Sequence, residues 1–167
     1  MTPAPPAVPV RTARLPDDAH DVGRLLEDYL RRTEREKHEH LGPEGPGADA
    51  PLHPRHLLEV HAPAEAFEGA RILLAGPAGG AMGIVVLTPR PDGLTELKRF
   101  WVDPAHRRAG VGGALLDTAI GLGGGHVRLS VWEWRTDAIR SYARRGFVPV
   151  ESWEPDRPRL ACLERRP

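Results

Sequence analysis

The stretch from Leu94 to Trp132 reads as strand, glycine-rich turn, helix, glycine-rich turn, strand, and few folds accommodate that order. LTELKRFWV (94–102) is an extended run that stops at Asp103-Pro104. Val111, Leu115, Leu116, Ala119 and Ile120 then recur at helical spacing, GLGGG closes the helix, and HVRLSVW (126–132) is extended again. A strand–helix–strand crossover of this kind makes its two strands parallel neighbours, with the helix packed on one sheet face.

The flanking segments extend the sheet. Val8–Leu15 reads as a first strand after a proline-rich segment, 1–7, expected to be disordered. Val22, Leu25, Leu26, Tyr29 and Leu30 mark a helix that trails into the charged RRTEREKHEH. LGPEGPGADAPLHP (41–54) reads as a loop, and a short helix follows at about His56–His61. ARILLAG (70–76) and AMGIVVLT (81–88), joined by PAGG, read as a hairpin. Thr136 or Asp137 starts a short helix that reaches Arg145 and stops at Gly146, and 147–153 and 159–164 close the chain as strands. The expected order is β-α-α-β-β-β-α-β-α-β-β. It describes one α/β domain, 8–167, with a mixed sheet and helices on both faces.

Composition excludes several classes. The 23 basic and 23 acidic residues balance, so no global field favours nucleic acid or a membrane surface, and anion recognition has to be local. One cysteine, Cys162, rules out a disulfide framework. The eight histidines show no metal-binding spacing, so no metal is expected. MTPAPPAVPVR has neither a basic start nor a long apolar run, and no stretch approaches the roughly 20 apolar residues of a membrane span. A cytoplasmic domain is the expectation.

The chemistry concentrates in RRAGVGG, residues 107–113. A helix start offers unpaired N–H groups and partial positive charge, and glycines let a bulky anion reach them. Arg107 and Arg108 can add charge-assisted bonds. The segment is thus either a phosphate cradle or a glycine-rich turn with solvated arginines. It lacks the Gly-Lys-Ser/Thr of the nucleotide P-loop, and its glycines do not space as GxGxxG.

What it does match is Arg107-x-x-Gly110-x-Gly112 directly after a strand ending Val102-Asp103-Pro104, and here the chain resembles the GNAT N-acetyltransferase superfamily. ELKRFWVDPAHRRAGVGGALL is similar to the family's central motif, and VWEWRTDAIRSYARRGFVPV is similar to its second. The resemblance implies acetyl-CoA as co-substrate, in a cleft between splayed fourth and fifth strands, with its pyrophosphate on Arg107, Arg108, Ala109, Gly110, Val111, Gly112 and Gly113. It places backbone donors for the thioester oxygen at Phe100, Trp101 and Val102, whose side chains also suit wall packing.

The resemblance gives Tyr142 the role of acid toward the departing thiolate, beside its packing of a helix onto the sheet. Glu96 matches the base of histone-acetylating relatives; the alternatives are a strand glutamate paired with Lys98 or Arg99, or a base acting through water. Relatives that acetylate protein N-termini carry a glutamate where this chain has Ser130, and Glu133 lies on the opposite strand face. Arg135 stands where the family usually has an asparagine reaching the pantetheine arm. It could hold phosphates or carbonyls of the cofactor, or face solvent.

In the family the acceptor site is built by roughly 29–60, where Glu34, Glu36, Glu39, Glu44, Asp49 and Glu59 could meet a cationic amine or be ordinary surface charge. The expectation is acetyl transfer to a primary amine of a small molecule or amino acid, with no nucleic-acid or membrane partner and with a homodimer left open. The alternatives are a protein lysine or N-terminal acetyltransferase, a weakened acyl-CoA-binding sensor, or an interaction module.

Overall fold

The computed structural model describes residues 2–4, 7–43 and 49–167. Residues 1, 5 and 6 of the expected disordered segment, and Glu44, lie outside the described residues. The elements are β1 (Val10–Thr12), α1 (Ala19–Leu41), α2 (Pro54–His61), α3 (Pro63–Ala66), β2 (Arg71–Ala75), β3 (Gly83–Pro89), β4 (Thr95–Val102), α4 (Val111–Leu122), β5 (Val127–Trp132), α5 (Thr136–Ala143), β6 (Val148–Pro149) and β7 (Leu160–Arg165). They form one seven-stranded sheet in the order β1-β2-β3-β4-β5-β7-β6. Every described pairing is antiparallel except β4–β5, the parallel pair that the crossover requires.

As expected, the charged tail of α1 is helical, to Leu41; Arg31–Glu27 and Arg32–Glu36 ion pairs, both 2.9 Å, join successive turns, and Gly42-Pro43 then ends it. Two departures from the sequence expectation have a local reason. Pro63, with no N–H to donate, restarts the chain as the extra one-turn helix α3. The expected strand 147–153 shrinks to two residues, since Pro149 cannot extend a ladder as a donor.

Apolar periodicity explains the layers. Val22, Leu25, Leu26 and Leu30 of α1 pack with Ile72, Leu74, Ile84, Val86 and Trp101 on one sheet face. Val111, Leu115, Leu116 and Ala119 of α4, with Tyr142 of α5, pack with Leu73, Val85, Leu87, Leu97 and Leu129 on the other.

Two irregularities of β4 open the sheet. Trp101 pairs with Ile84 and Lys98 with Val86, leaving Arg99 and Phe100 opposite Val85 alone. This is a β-bulge, and Arg99 takes the left-handed φ of 56° within it. On its other side β4 pairs with β5 only from Thr95↔Val127 to Leu97↔Leu129. Beyond that point β5 stays with β7 as far as Trp132↔Leu160, so β4 and β5 diverge.

Candidate active site

The divergence creates a cleft of about 930 Å³ that passes through the sheet. On the α4/α5 face its wall includes Gly110, Gly112 and Tyr142; on the α1/α2 face it includes Tyr29, Glu59, Arg99 and Arg135. A ligand entering from either face would meet the other in the splay.

The α4 mouth is built as an anion site. The first bond into the helix runs from Ala114 N to the Gly110 carbonyl at 3.0 Å. The N–H groups of Val111, Gly112 and Gly113 therefore have no backbone partner among the described residues, and no side chain caps them. Gly110 lies at φ 80°, and a Cβ there would meet nothing within 4 Å. Gly112 is bare for another reason: its Cβ would lie 3.3 Å from Phe100 Cζ and 3.5 Å from Val102 Cγ2, at the helix–strand seam.

The two arginines differ as well. Arg107 folds back over the Trp101 ring, its guanidinium 4.8 Å from the centroid, and donates to the Val102 carbonyl at 3.4 Å. Arg108 takes a left-handed φ of 66° and is exposed. These residues fit a pyrophosphate by their unpaired donors and by the empty volume above Gly110.

Tyr142 is buried at the splay, its ring 6.1 Å from Phe100 and 5.7 Å from Phe147. Burial, with Tyr29 nearby, pushes its phenol above the ordinary range, against a smaller opposing pull from Arg135. It therefore stays protonated at neutral pH and has a proton to donate.

Glu96 also lines the cleft, 7 % exposed. It bonds Arg128 at 3.1 Å, with Arg90 at 3.7 Å and Lys98 at 3.8 Å. The expected Lys98 pairing is thus present, but Arg99 is not its partner. Arg99 turns instead to Glu59 of α2 in a two-pronged pair of 2.7 and 2.8 Å. Glu133 is exposed and paired with Arg159.

Arg135 neither faces solvent nor turns toward α4. Its Nε donates to Glu36 at 2.8 Å and its Nη2 to the Thr33 hydroxyl at 2.8 Å, both on α1. Trp134 donates to the same Glu36 oxygen at 3.1 Å and stacks between Trp132 and His40. Glu36 lies below the usual carboxylate range: burial works against its charge, and Arg135, Arg32 and Trp134 outweigh burial. Glu34 is held by Lys37 at 2.9 Å. Three of the carboxylates expected to greet an amine are thus already paired with cations. His56, half-buried nearby, is lowered by burial and by Arg99, so it is neutral at neutral pH.

Sequence reasoning missed Arg99 and Trp134 as cleft residues, and it placed Tyr29 and Thr33 only within the broad 29–60 acceptor region, with no role of their own. Nothing in the sequence marks the bulge that turns Arg99 toward α2.

A mixed sheet splayed over a bare helix start, with a cleft through it, is the arrangement that the sequence resemblance implied. The family follows from comparison: the sequence model of the acetyltransferase (GNAT) family matches residues 26–147, and the chain belongs to that family. An acetyltransferase of the GNAT family from Staphylococcus aureus Mu50 is similar in structure, with 14% identity and a TM-score of 0.67 over 96% of this chain and 98% of that one. An acetyltransferase from Streptococcus agalactiae gives 14% identity and 0.67 over 95% and 97%. The GNAT domain of S. lividans PAT gives 20% and 0.62 over 93% and 88%. At these identities the structures establish the fold. No curated protein sequence matches the chain. Among the described residues no helix is long and apolar enough to cross a membrane, and no group of three or more His, Cys, Asp or Glu is placed to hold a metal.

Proposed function

We propose that the chain is an acetyl-CoA-dependent N-acetyltransferase acting on a primary amine of a small molecule or amino acid, by direct attack in a ternary complex. The single observation that carries this reading is the through-sheet cleft, which joins a bare helix start on one face to a walled pocket on the other. Acetyl-CoA supplies an activated thioester when bound. The unpaired N–H groups of Val111, Gly112 and Gly113 hold its pyrophosphate, beside Arg107, Arg108, Ala109 and Gly110. The backbone of Phe100, Trp101 and Val102, where β4 has left β5, holds the carbonyl oxygen as it gains charge.

The acceptor amine, with a pKa near ~10.4, arrives protonated and must lose a proton first. Glu96 takes it through a water, since its carboxylate lines the cleft. The amine nitrogen then bonds to the acyl carbon, the carbon–sulfur bond breaks, the Tyr142 hydroxyl protonates the thiolate, and the second proton lost by the nitrogen as the amide forms returns through water to restore Tyr142. Burial keeps Tyr142 in the protonated form that can give a proton, and its place at the splay sets it where the thiolate leaves.

Calorimetric titration with acetyl-CoA, followed by thiol release with a panel of amines, tests the reading. Saturation at 100-fold over Kd corresponds to about 2.7 kcal/mol of stabilisation, or a Tm rise of roughly 5–10 °C. Neither heat nor a Tm rise refutes cofactor binding; binding without thiol release supports the sensor alternative.

A further inference from the structure

The α1/α2 mouth of the cleft is arranged for an anion. Arg99 and Arg135 approach one residue, Tyr29, with their guanidinium carbons 5.7 and 5.3 Å from its ring centroid. They come from different elements: Arg99 from the β4 bulge and Arg135 from the start of α5. Each is anchored through Nε and Nη2, Arg99 by Glu59 and Arg135 by Glu36 and Thr33. Neither Nη1 makes a hydrogen bond among the described residues, and both side chains line the cleft.

Burial opposes the charge of both guanidiniums, but their carboxylate partners hold them cationic. Three carboxylates at this mouth are engaged by side-chain cations, Glu59 by Arg99, Glu36 by Arg135 and Arg32, and Glu34 by Lys37, while Glu39 also lines the cleft at the exposed end of α1. Beside the three paired acids, the two guanidiniums keep donors open to a ligand. Anchored, partly desolvated guanidiniums with one free edge each suit a carboxylate, because the fork is already oriented and little rotamer freedom is lost on binding.

We propose that Arg99, Arg135 and the Tyr29 hydroxyl bind the carboxylate of an amino-acid acceptor, so that the chain acetylates amino carboxylates in preference to amines lacking an anionic group. This rests on the acetyltransferase reading above. A carboxylate held at this mouth directs the amine of the same molecule into the splay, toward Tyr142. It also disfavours peptide N-termini and protein lysines, whose neighbouring carbonyls are amides. An unoccupied anion site of this kind leaves buried donors unpaired when a neutral acceptor binds, and that is the basis of discrimination.

The test uses the whole chain with saturating acetyl-CoA and matched acceptors: the protein amino acids, their α-amides, their decarboxylated amines, and a short peptide with a free N-terminus. At least one free amino acid is expected to exceed its amide and decarboxylated partner by about 100-fold in kcat/KM. Arg135→Lys, which keeps the charge and loses the fork, is expected to raise KM for that amino acid about 10-fold, with the acetyl-CoA Kd unchanged. Equal or better use of the neutral partners, turnover of the peptide alone, or no turnover of any amino acid overturns the proposal. So does an Arg135→Lys effect confined to the acetyl-CoA Kd. The wild-type comparison decides the question even if Arg135→Lys fails to fold. Failure of acetyl-CoA to bind at all is a different result, and it overturns the acetyltransferase reading instead.

Discussion

Gly110 and Gly112 stand two residues apart in one motif, yet the structure gives them different reasons to be bare, and a pair of alanine variants separates these. At Gly110 the φ of 80° is left-handed, a conformation that costs an L-residue roughly 1–2 kcal/mol. For a chain of this size that is a Tm loss of roughly 2–8 °C. The added methyl meets no atom within 4 Å, so the fold survives, and it is added to a residue that lines the cleft. Acetyl-CoA affinity is therefore expected to fall at least ~10-fold, equivalent to ~1.4 kcal/mol.

At Gly112 the methyl points at Phe100 and Val102 rather than into the cleft, and at 3.3 Å the Phe100 ring edge must give by only a few tenths of an ångström. Replacing glycine in a helix gains up to ~1 kcal/mol of propensity, about the size of the packing cost. Gly112→Ala is thus expected to keep Tm within about 2 °C and to bind acetyl-CoA nearly as well as the parent chain. Thermal melting and calorimetric titration read both quantities. If Gly112→Ala abolishes binding while Gly110→Ala binds normally, the assignment of the open volume above Gly110 to the pyrophosphate is wrong.

Tyr142→Phe preserves the ring contacts with Phe100 and Phe147, so Tm should hold while kcat falls about 10²-fold or more; unchanged turnover removes Tyr142 as the acid. Glu96→Gln should lower kcat/KM at pH 7, with the deficit shrinking as pH rises toward the amine's own pKa near ~10.4; a deficit constant with pH argues against a role as base. Asp18 is drawn down to about 2 by the two-pronged Arg11 pair and the Arg14 N–H. Because its folded value is depressed, its contribution is present above the ordinary 3.8 and lost as pH falls toward 2. Asp18→Asn should therefore destabilise at pH 7 by about 1 kcal/mol, discounted for the partial exposure of Arg11, and should flatten the acid limb of stability; an equal loss at pH 2 contradicts the pair.

Sequence alone determined the frame, because its signals are local. The crossover 94–132, the hairpin and the glycine-bracketed α4 each follow from apolar period and turn chemistry, which need no knowledge of distant residues. The motif Arg107-x-x-Gly110-x-Gly112 likewise announced the helix-start donors, since backbone geometry at a helix end is set by the few residues around it. The tertiary structure alone decided how the side chains beyond that motif are used. Arg99 reaches Glu59 across 40 residues of chain, and Arg135 reaches Glu36 across 99, both through geometry that a bulge and a strand splay create. Neither distortion has a local sequence mark, so the acids of the 29–60 region read as sites for a cation until their arginine partners were placed beside them. Pairwise charge depends on which elements meet, and that is why Glu34, Glu36 and Glu59, unpartnered in the sequence, are ion-paired in the fold.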